Sequence, residues 1–398
     1  MFRFGSHIRQ YLEREMKIGV QKIATLGLGL VTICCSSATT AQQKDKGAEH
    51  ALAFQRAAAL TDGTNLSGWF GGWGDYSTEH TSTYITAADF EAMHAMGIRF
   101  VRFPLEPTLL MQGGRMASNK DEVWKRIDGA IDMAMHDGLA VDFVVFPRDD
   151  YKQRLATESG ADQFIMLWQV LARHFVSRDP DRFFFELMNE SEEQDSYRWV
   201  GLESATVAAI RQIDTKHTII ASGAHYDSLG DLLTTQTIDD PNIIYNFHFY
   251  EPYAFTHQGA TWGSFEWNYF KDIPYPATPS QLAERMKGIP DDYARYQLYL
   301  YGADGWDAAS ISQHIAFAAD WGRERHVPII CNEFGAFRET APPDSRARYL
   351  HDVRVALEQN GIGWAMWDWS GNFGLVRHQG GAVVPEDADV DALGLTRP

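Results

Sequence analysis

RFFFELMNE, residues 182–190, and VPIICNEFG, residues 327–335, are the two stretches on which the fold turns. Each is a short apolar run, aromatic in the first and aliphatic in the second, that ends on Asn-Glu. Such runs read as buried strands rather than as helices. Six others share the character: Asn65–Trp69, Ile98–Pro104, Leu139–Phe146, His217–Ser222, Ile243–Phe249 and Ile362–Trp369. With Arg182–Met188 and Val327–Asn332 they make eight predicted strands. Segments of helical period lie between them, at Thr86–Met96, Asp121–His136, Asp162–Val176, Tyr197–Ile213, Ala308–Arg325 and Asp344–Gln359. Thr86 offers the first helix a cap, and Gly138 suits a left-handed stop after the second.

Parallel strands need a crossover of a dozen residues or more, which these helices supply. Eight strand–helix alternations therefore predict an α/β fold, a (β/α)8 TIM barrel forming a single catalytic domain over residues 50–398. The near-continuous apolar character of Arg99–Phe103 and Val141–Phe146 suits strands covered on both faces. The longest break in the spacing, Glu251–Asp307, is expected to be one long functional loop, rich in rings such as Trp262, Phe265, Trp267, Tyr269, Tyr275 and Trp306.

Composition fits this frame. Hydrophobic residues make up 45% and charged residues 22% of 398, ordinary values for a compact chain. A net charge of −18 argues against nucleic acid, an anionic membrane or a polyanionic substrate as partner, and favours a neutral ligand. The 12 Trp point to a cleft lined with flat rings. Residues 1–41 read differently. Lys17 and Lys22 precede an apolar run, Ile23–Cys35, and small residues follow to Ala41, the order of a secretory signal starting at Met16. The run is shorter than the roughly 20 residues that span a membrane. Export to the periplasm or outside the cell is expected, with no membrane association after cleavage and with residues 42–49 as a polar N-terminal segment. Cys34 and Cys35 fall in the signal, so Cys331 is left without an internal disulfide partner.

In a (β/α)8 barrel the chemistry sits where the strands end at their C-terminal side. Glu190 and Glu333 follow directly on apolar strands, a costly place for a carboxylate unless it is hydrogen-bonded or used. Taken singly, each reads equally well as a solvated loop residue. Together they form the pair a glycosidase needs, one acid to protonate the leaving oxygen and one carboxylate to attack the anomeric carbon.

The pattern resembles glycoside hydrolase family 5 and its wider clan. By that resemblance Glu190, ending strand four, is the acid/base, and Glu333, ending strand seven, is the nucleophile. Strand two, GIRFVRFP, resembles the family's strand whose terminal Arg, here Arg102, hydrogen-bonds the nucleophile and keeps it ionised. Strand six gives His248-Phe-Tyr250, similar to the family's His-x-Tyr pair, with Tyr250 near the nucleophile and His248 near the acid/base. Trp367 on strand eight resembles the Trp beneath the cleaved sugar, and Asn189 is implied to bond the 2-hydroxyl. Arg102 also reads as a surface ion pair, His248 as a core histidine, Tyr250 as packing and Trp367 as barrel filling, but their order along the strands argues against all four. One departure stands out. Strand three of the family ends in histidines that bond sugar hydroxyls, whereas this chain has VDFVVFPRDD, with Arg148, Asp149, Asp150 or the more distant His225 as candidate substitutes.

The implied activity is retaining hydrolysis of a neutral β-linked polysaccharide by a secreted enzyme, with no cofactor and no metal. The leading substrate is β-glucan cut as an endo-β-1,4-glucanase (cellulase); β-mannanase, β-1,3-glucanase and xyloglucanase are alternatives within the family. A non-catalytic carbohydrate-binding barrel is the alternative of another class, and a metal-dependent barrel hydrolase would need more strand-end ligands than His248 supplies. The protein is expected to act as a monomer. The glutamate carboxyls are expected about 5–5.5 Å apart, with Trp262 stacking on sugars beyond the point of cleavage.

Overall fold

The computed structural model describes residues 50–397, within a compact unit running from Lys46 to Pro398. The expected signal and the polar segment 42–49 lie outside the described residues. Eight strands, β1 (Gly63–Asn65), β2 (Phe100–Leu105), β3 (Ala140–Val145), β4 (Phe183–Glu186), β5 (Ile219–Ser222), β6 (Ile243–Phe249), β7 (Ile329–Phe334) and β8 (Gly363–Met366), close into one barrel. Every pairing in it is parallel, including the closing contact of β1 with β8. The predicted (β/α)8 architecture is therefore present.

The strands' two-residue period explains how the barrel is filled. Phe100, Ala140, Phe184, Ile220, Ile244, Ile330 and Ala365, one from each of β2 to β8, form an apolar plug with Ala57 and Leu60. Val101, Phe103, Val141, Phe143, Phe183 and Phe185 alternate with them and pack outward in the main core between sheet and helices. Two residues further along β2, β3, β4, β6 and β7 come Arg102, Asp142, Glu186, Asn246 and Asn332, all buried. The interior thus changes from apolar to polar on the way up to the strand ends.

Element boundaries shift in places from the expected ones. β1 ends at Asn65 rather than starting there, because Leu66–Phe70 turns back: Gly68 takes φ 73°, and its N–H donates to the Gly71 carbonyl at 3.0 Å. β7 runs two residues further than predicted, so Glu333 belongs to the strand. Glu251–Asp307 is not one loop; it carries the helices Pro279–Lys287 and Asp292–Asp304 and a short turn at Phe265–Tyr269. Among the described residues no helix is long and apolar enough to cross a membrane.

Candidate active site

Where β6 meets β7 the pairing skips a residue: Phe247 faces Cys331, but His248 faces Glu333. A bulge of this kind re-aims side chains. Here it lets two successive residues reach the barrel interior. Asn332 donates to Glu186 at 2.9 Å and accepts from Asn246 at 2.9 Å, while Glu333 meets Arg102 and Tyr250 at the mouth.

Arg102 is the centre of this arrangement. Fully buried, it grips Glu186 with two parallel bonds of 2.7 Å, from Nε and Nη2. Nη1 donates to Asn65 at 3.0 Å and to Oε1 of Glu333, and Nη2 donates to Asn189 at 2.9 Å. Two-pronged binding of this sort fixes direction as well as charge. Asn65 in turn donates to the carbonyls of Asn332 and Met366, at 2.9 and 3.2 Å. Asp142, beside Glu186, is driven well above the usual carboxylate range by burial and by that neighbour's charge.

The two glutamates face each other across the mouth. The Tyr250 hydroxyl donates to Oε2 of Glu333 at 2.9 Å. His248 Nδ1 lies 3.0 Å from Oε1 of Glu190 and 3.5 Å from Oε2 of Glu333. These three groups offer atoms within 4.8 Å of one another. Burial works against a charged ring at His248, yet Glu333, Glu190 and Asp227 together push it up to about 9.

Burial also pushes Glu190 upward, but the hydrogen bond and charge of His248, with Lys152 and Arg102 behind, hold it below the ordinary carboxylate value. Glu333 stands above its ordinary value, raised by burial and by the charge of Glu190 against His248, Arg102 and Tyr250. Arg102 lowers Glu333, as expected of it, but burial and the charge of Glu190 outweigh that pull. The guanidinium charge is shared with Glu186, and Glu190 is close enough to oppose the rest.

The remaining expected residues are placed as follows. Asn189 has its oxygen taken by Arg102, and its buried Nδ2 has no protein partner among the described residues. Trp367 is buried, with Phe146 stacked at 5.8 Å and the half-exposed Trp73 at 5.5 Å. Trp262 is 41% exposed and packs its edge on Phe337 at 5.1 Å, in the ring cluster that reaches Tyr250 through Phe373. None of the substitutes for a strand-three histidine fills that place. Arg148 caps the short helix Asp149–Arg154, its N–H donating to Glu106 and its guanidinium lying over Tyr76. Asp150 pairs with Arg154 at 2.7 Å, and Asp149 is exposed. His225 bonds Gln194 at 2.9 Å. Just past strand three the ring of Phe146 stacks against Trp367.

Sequence reasoning passed over Glu186, Asp142, Asn246, Asp227 and Lys152. The first three were signalled by their even spacing above the apolar plug. Lys152, buried, lies 3.7 Å from Glu192 beside a cavity of about 250 Å³ that Ser191, Glu192 and Arg198 also line.

Known proteins agree with this geometry. The chain is 29% identical over 314 residues to endoglucanase C of Acetivibrio thermocellus, covering 77% of this chain and 90% of that one. It is 33% identical over 220 residues to endoglucanase 3 of Fibrobacter succinogenes, covering 53% of this chain and 33% of that one. Among solved structures, Thermotoga maritima Cel5A in complex with cellobiose superimposes with a TM-score of 0.69 at 24% identity, covering 85% of this chain and 99% of the other. Residues 61–373, which take in all eight strands, match the model of the cellulase family, glycosyl hydrolase family 5, and the chain belongs to that family of retaining glycosidases.

Proposed function

We propose that this protein is an exported endo-β-1,4-glucanase in which Glu190 is the acid/base and Glu333 the nucleophile. The observation that carries the assignment is the environment of the two carboxylates. Glu333 is pinned by Arg102 and Tyr250, so one oxygen is held ready for attack, whereas Glu190 touches only an imidazole that can exchange a proton with it. In the first step Glu190 draws a proton from the protonated His248 ring it bonds and passes it to the glycosidic oxygen as that C–O bond breaks, and Glu333 bonds the anomeric carbon. In the second step Glu190 takes a proton from water, which displaces Glu333. The unpartnered Nδ2 of Asn189 is a donor available to the 2-hydroxyl. Phe146, Trp367 and Trp73 give an apolar floor that suits the C–H faces of a pyranose.

Relatives named endoglucanase support a β-glucan as the polymer. Half-exposed Trp73 and Trp262, in separate loops beside the floor, suit a chain lying across the site with sugars to either side. Export rests on the order of Lys17, Lys22, Ile23–Cys35 and Ala41. The decisive experiment is trapping with a 2-deoxy-2-fluoro-cellobioside followed by peptide mapping. Glu333 should carry the sugar; a label on Glu190 reverses the roles, and a label on neither removes the assignment.

A further inference from the structure

Just beyond β5 the chain places His225, Tyr226 and Asp227 in succession at φ 56°, 63° and 52°, and Glu190 opposite them is at φ 47°. None of the four is glycine, and residues with side chains visit this region as isolated exceptions. Three in a row are held only where the surroundings impose them, which is the mark of a functional site. His225 and Tyr226 gain no burial from it, for both reach solvent. What the turn achieves is the delivery of Asp227, which is fully buried.

We propose that Asp227 is a positioning residue for the cleavage reaction: it anchors the main chain of Glu190 and backs the His248 ring, making a chain Asp227–His248–Glu190. The proposal rests on the assignment of Glu190 as acid/base. Oδ2 of Asp227 accepts from the Glu190 N–H at 2.8 Å, and the Asp227 carbonyl accepts from the His248 N–H at 2.7 Å. The Tyr226 N–H donates to Ser191 at 2.7 Å and ties the turn to the Glu190 loop. The same Oδ2 lies 3.7 Å from Nε2 of His248, whose Nδ1 bonds Glu190 at 3.0 Å. Nε2 of His248 is buried without a hydrogen-bond partner among the described residues, and the Asp227 oxygen near it is Oδ2, which also accepts from the Glu190 N–H. A buried donor left over 3.7 Å from a carboxylate points to a contact that tightens when substrate closes the site, as catalytic contacts in free enzymes often do.

The charged neighbours agree with a relay role. His248 is faced by Glu190, Glu333 and Asp227, while Arg102 and Tyr250 act on it through Glu333. Asp227 is faced by His248 and Glu190 and, from the helix Ser196–Arg211, by Glu203, whose Oε1 accepts from the Ser222 N–H at 2.9 Å. Lys152 faces Glu190 from the other side. Burial raises Asp227 to about 7 despite the charge of His248. When Glu190 hands a proton from the His248 ring to the leaving oxygen, Asp227, behind the ring, governs how readily the imidazolium supplies that proton and recovers it.

Asp227→Asn keeps an oxygen to accept the Glu190 N–H but removes the charge. Relative to wild type, it should slow polysaccharide hydrolysis tenfold or more by order of magnitude, while the first step on an aryl cellobioside with an acidic phenol stays within about twofold, since that group leaves unprotonated. The alkaline limb of kcat/KM on polysaccharide should move down by about one pH unit, because a negative charge beside the proton-holding cluster is gone. Equal losses on both substrates with an unmoved limb would reduce Asp227 to a structural residue and overturn the proposal. Glu190→Ala run alongside separates the two readings. If it lacks the leaving-group dependence, the acid/base assignment fails; if it has it and Asp227→Asn does not, this proposal alone fails. Histidine nitrogen NMR of the unsubstituted protein gives a check that needs no variant: at pH 7.5 both ring nitrogens of His248 should carry protons. A ring protonated only at Nδ1 counts against the chain.

Discussion

Glu190 and Glu333 share one imidazole: Nδ1 of His248 stands 3.0 Å from the first carboxylate and 3.5 Å from the second. A single ring therefore feels any charge that either glutamate gains or loses. Retaining cleavage changes both charges in one step, so this site couples the two events through a group that never touches the breaking bond.

Leaving-group chemistry tells the glutamates apart. Glu190→Ala should cut polysaccharide hydrolysis by about 10²–10⁴-fold yet spare the first step on an aryl glycoside with an acidic phenol. Azide, which needs no general base, should then restore turnover and give the β-glycosyl azide. Glu333→Ala should abolish both activities, and azide should yield only the α-product. Chromatography and NMR of the azide adducts read the outcome; exchanged phenotypes mean exchanged roles.

Arg102→Ala should destabilise the fold by about 3–5 kcal/mol, because Glu186 is left as an unpaired charge in the interior. Arg102→Lys restores charge but not the two-pronged grip, and should recover part of the stability and little of the activity. Urea unfolding beside kcat on soluble glucan measures both. A stable, active Arg102→Ala protein would contradict the network described above.

Stability should fall as the solution becomes alkaline. His248 is raised from 6.5 to about 9, so the native state binds a proton that the unfolded chain has released. The resulting stabilisation is complete below pH 6.5 and lost as pH rises through about 9; it is on the order of 3 kcal/mol at most. Asp227, raised from 3.8 to about 7, acts in the same direction at lower pH. Denaturant midpoints between pH 6 and 9.5 should decline, and His248→Asn should flatten that slope.

Trp262→Ala should lower kcat/KM on long glucans by roughly threefold to tenfold, the value of one ring contact, and leave a short aryl cellobioside unaffected. Equal activity of variant and parent on cello-oligosaccharides of every length would make Trp262 a surface packing residue on Phe337.

The barrel was legible because parallel strands covered on both faces leave unbroken apolar runs, and these recur between amphipathic helices. Glu190, Glu333, Asn189, His248, Tyr250 and Trp367 stand at or just past strand ends, where the fold makes polar residues conspicuous, and with Arg102 from within β2 they converge on one mouth. Glu186 and Asn246 lie inside the predicted runs Arg182–Met188 and Ile243–Phe249 and were masked by the apolar residues around them. The helix Asp292–Asp304 escaped notice for a different reason: Tyr293, Tyr296 and Tyr299 are exposed on it while Leu298 and Tyr301 are buried, so no apolar stripe stands out. Phe146 was read as the end of a strand, and its stacking on Trp367 came only with the structure.

The buried polar layer has a consequence for how the strands align. Sliding one strand by two residues past its neighbours would keep every side chain on its own face, and apolar burial would scarcely register the error. It would, however, move Glu186 off Arg102 or Asn332 off Asn246, leaving unpaired groups in a dry interior. The polar layer thus works as a key that admits one alignment of the barrel. A protein whose cutting groups must meet to within a hydrogen bond needs that alignment fixed before any substrate arrives.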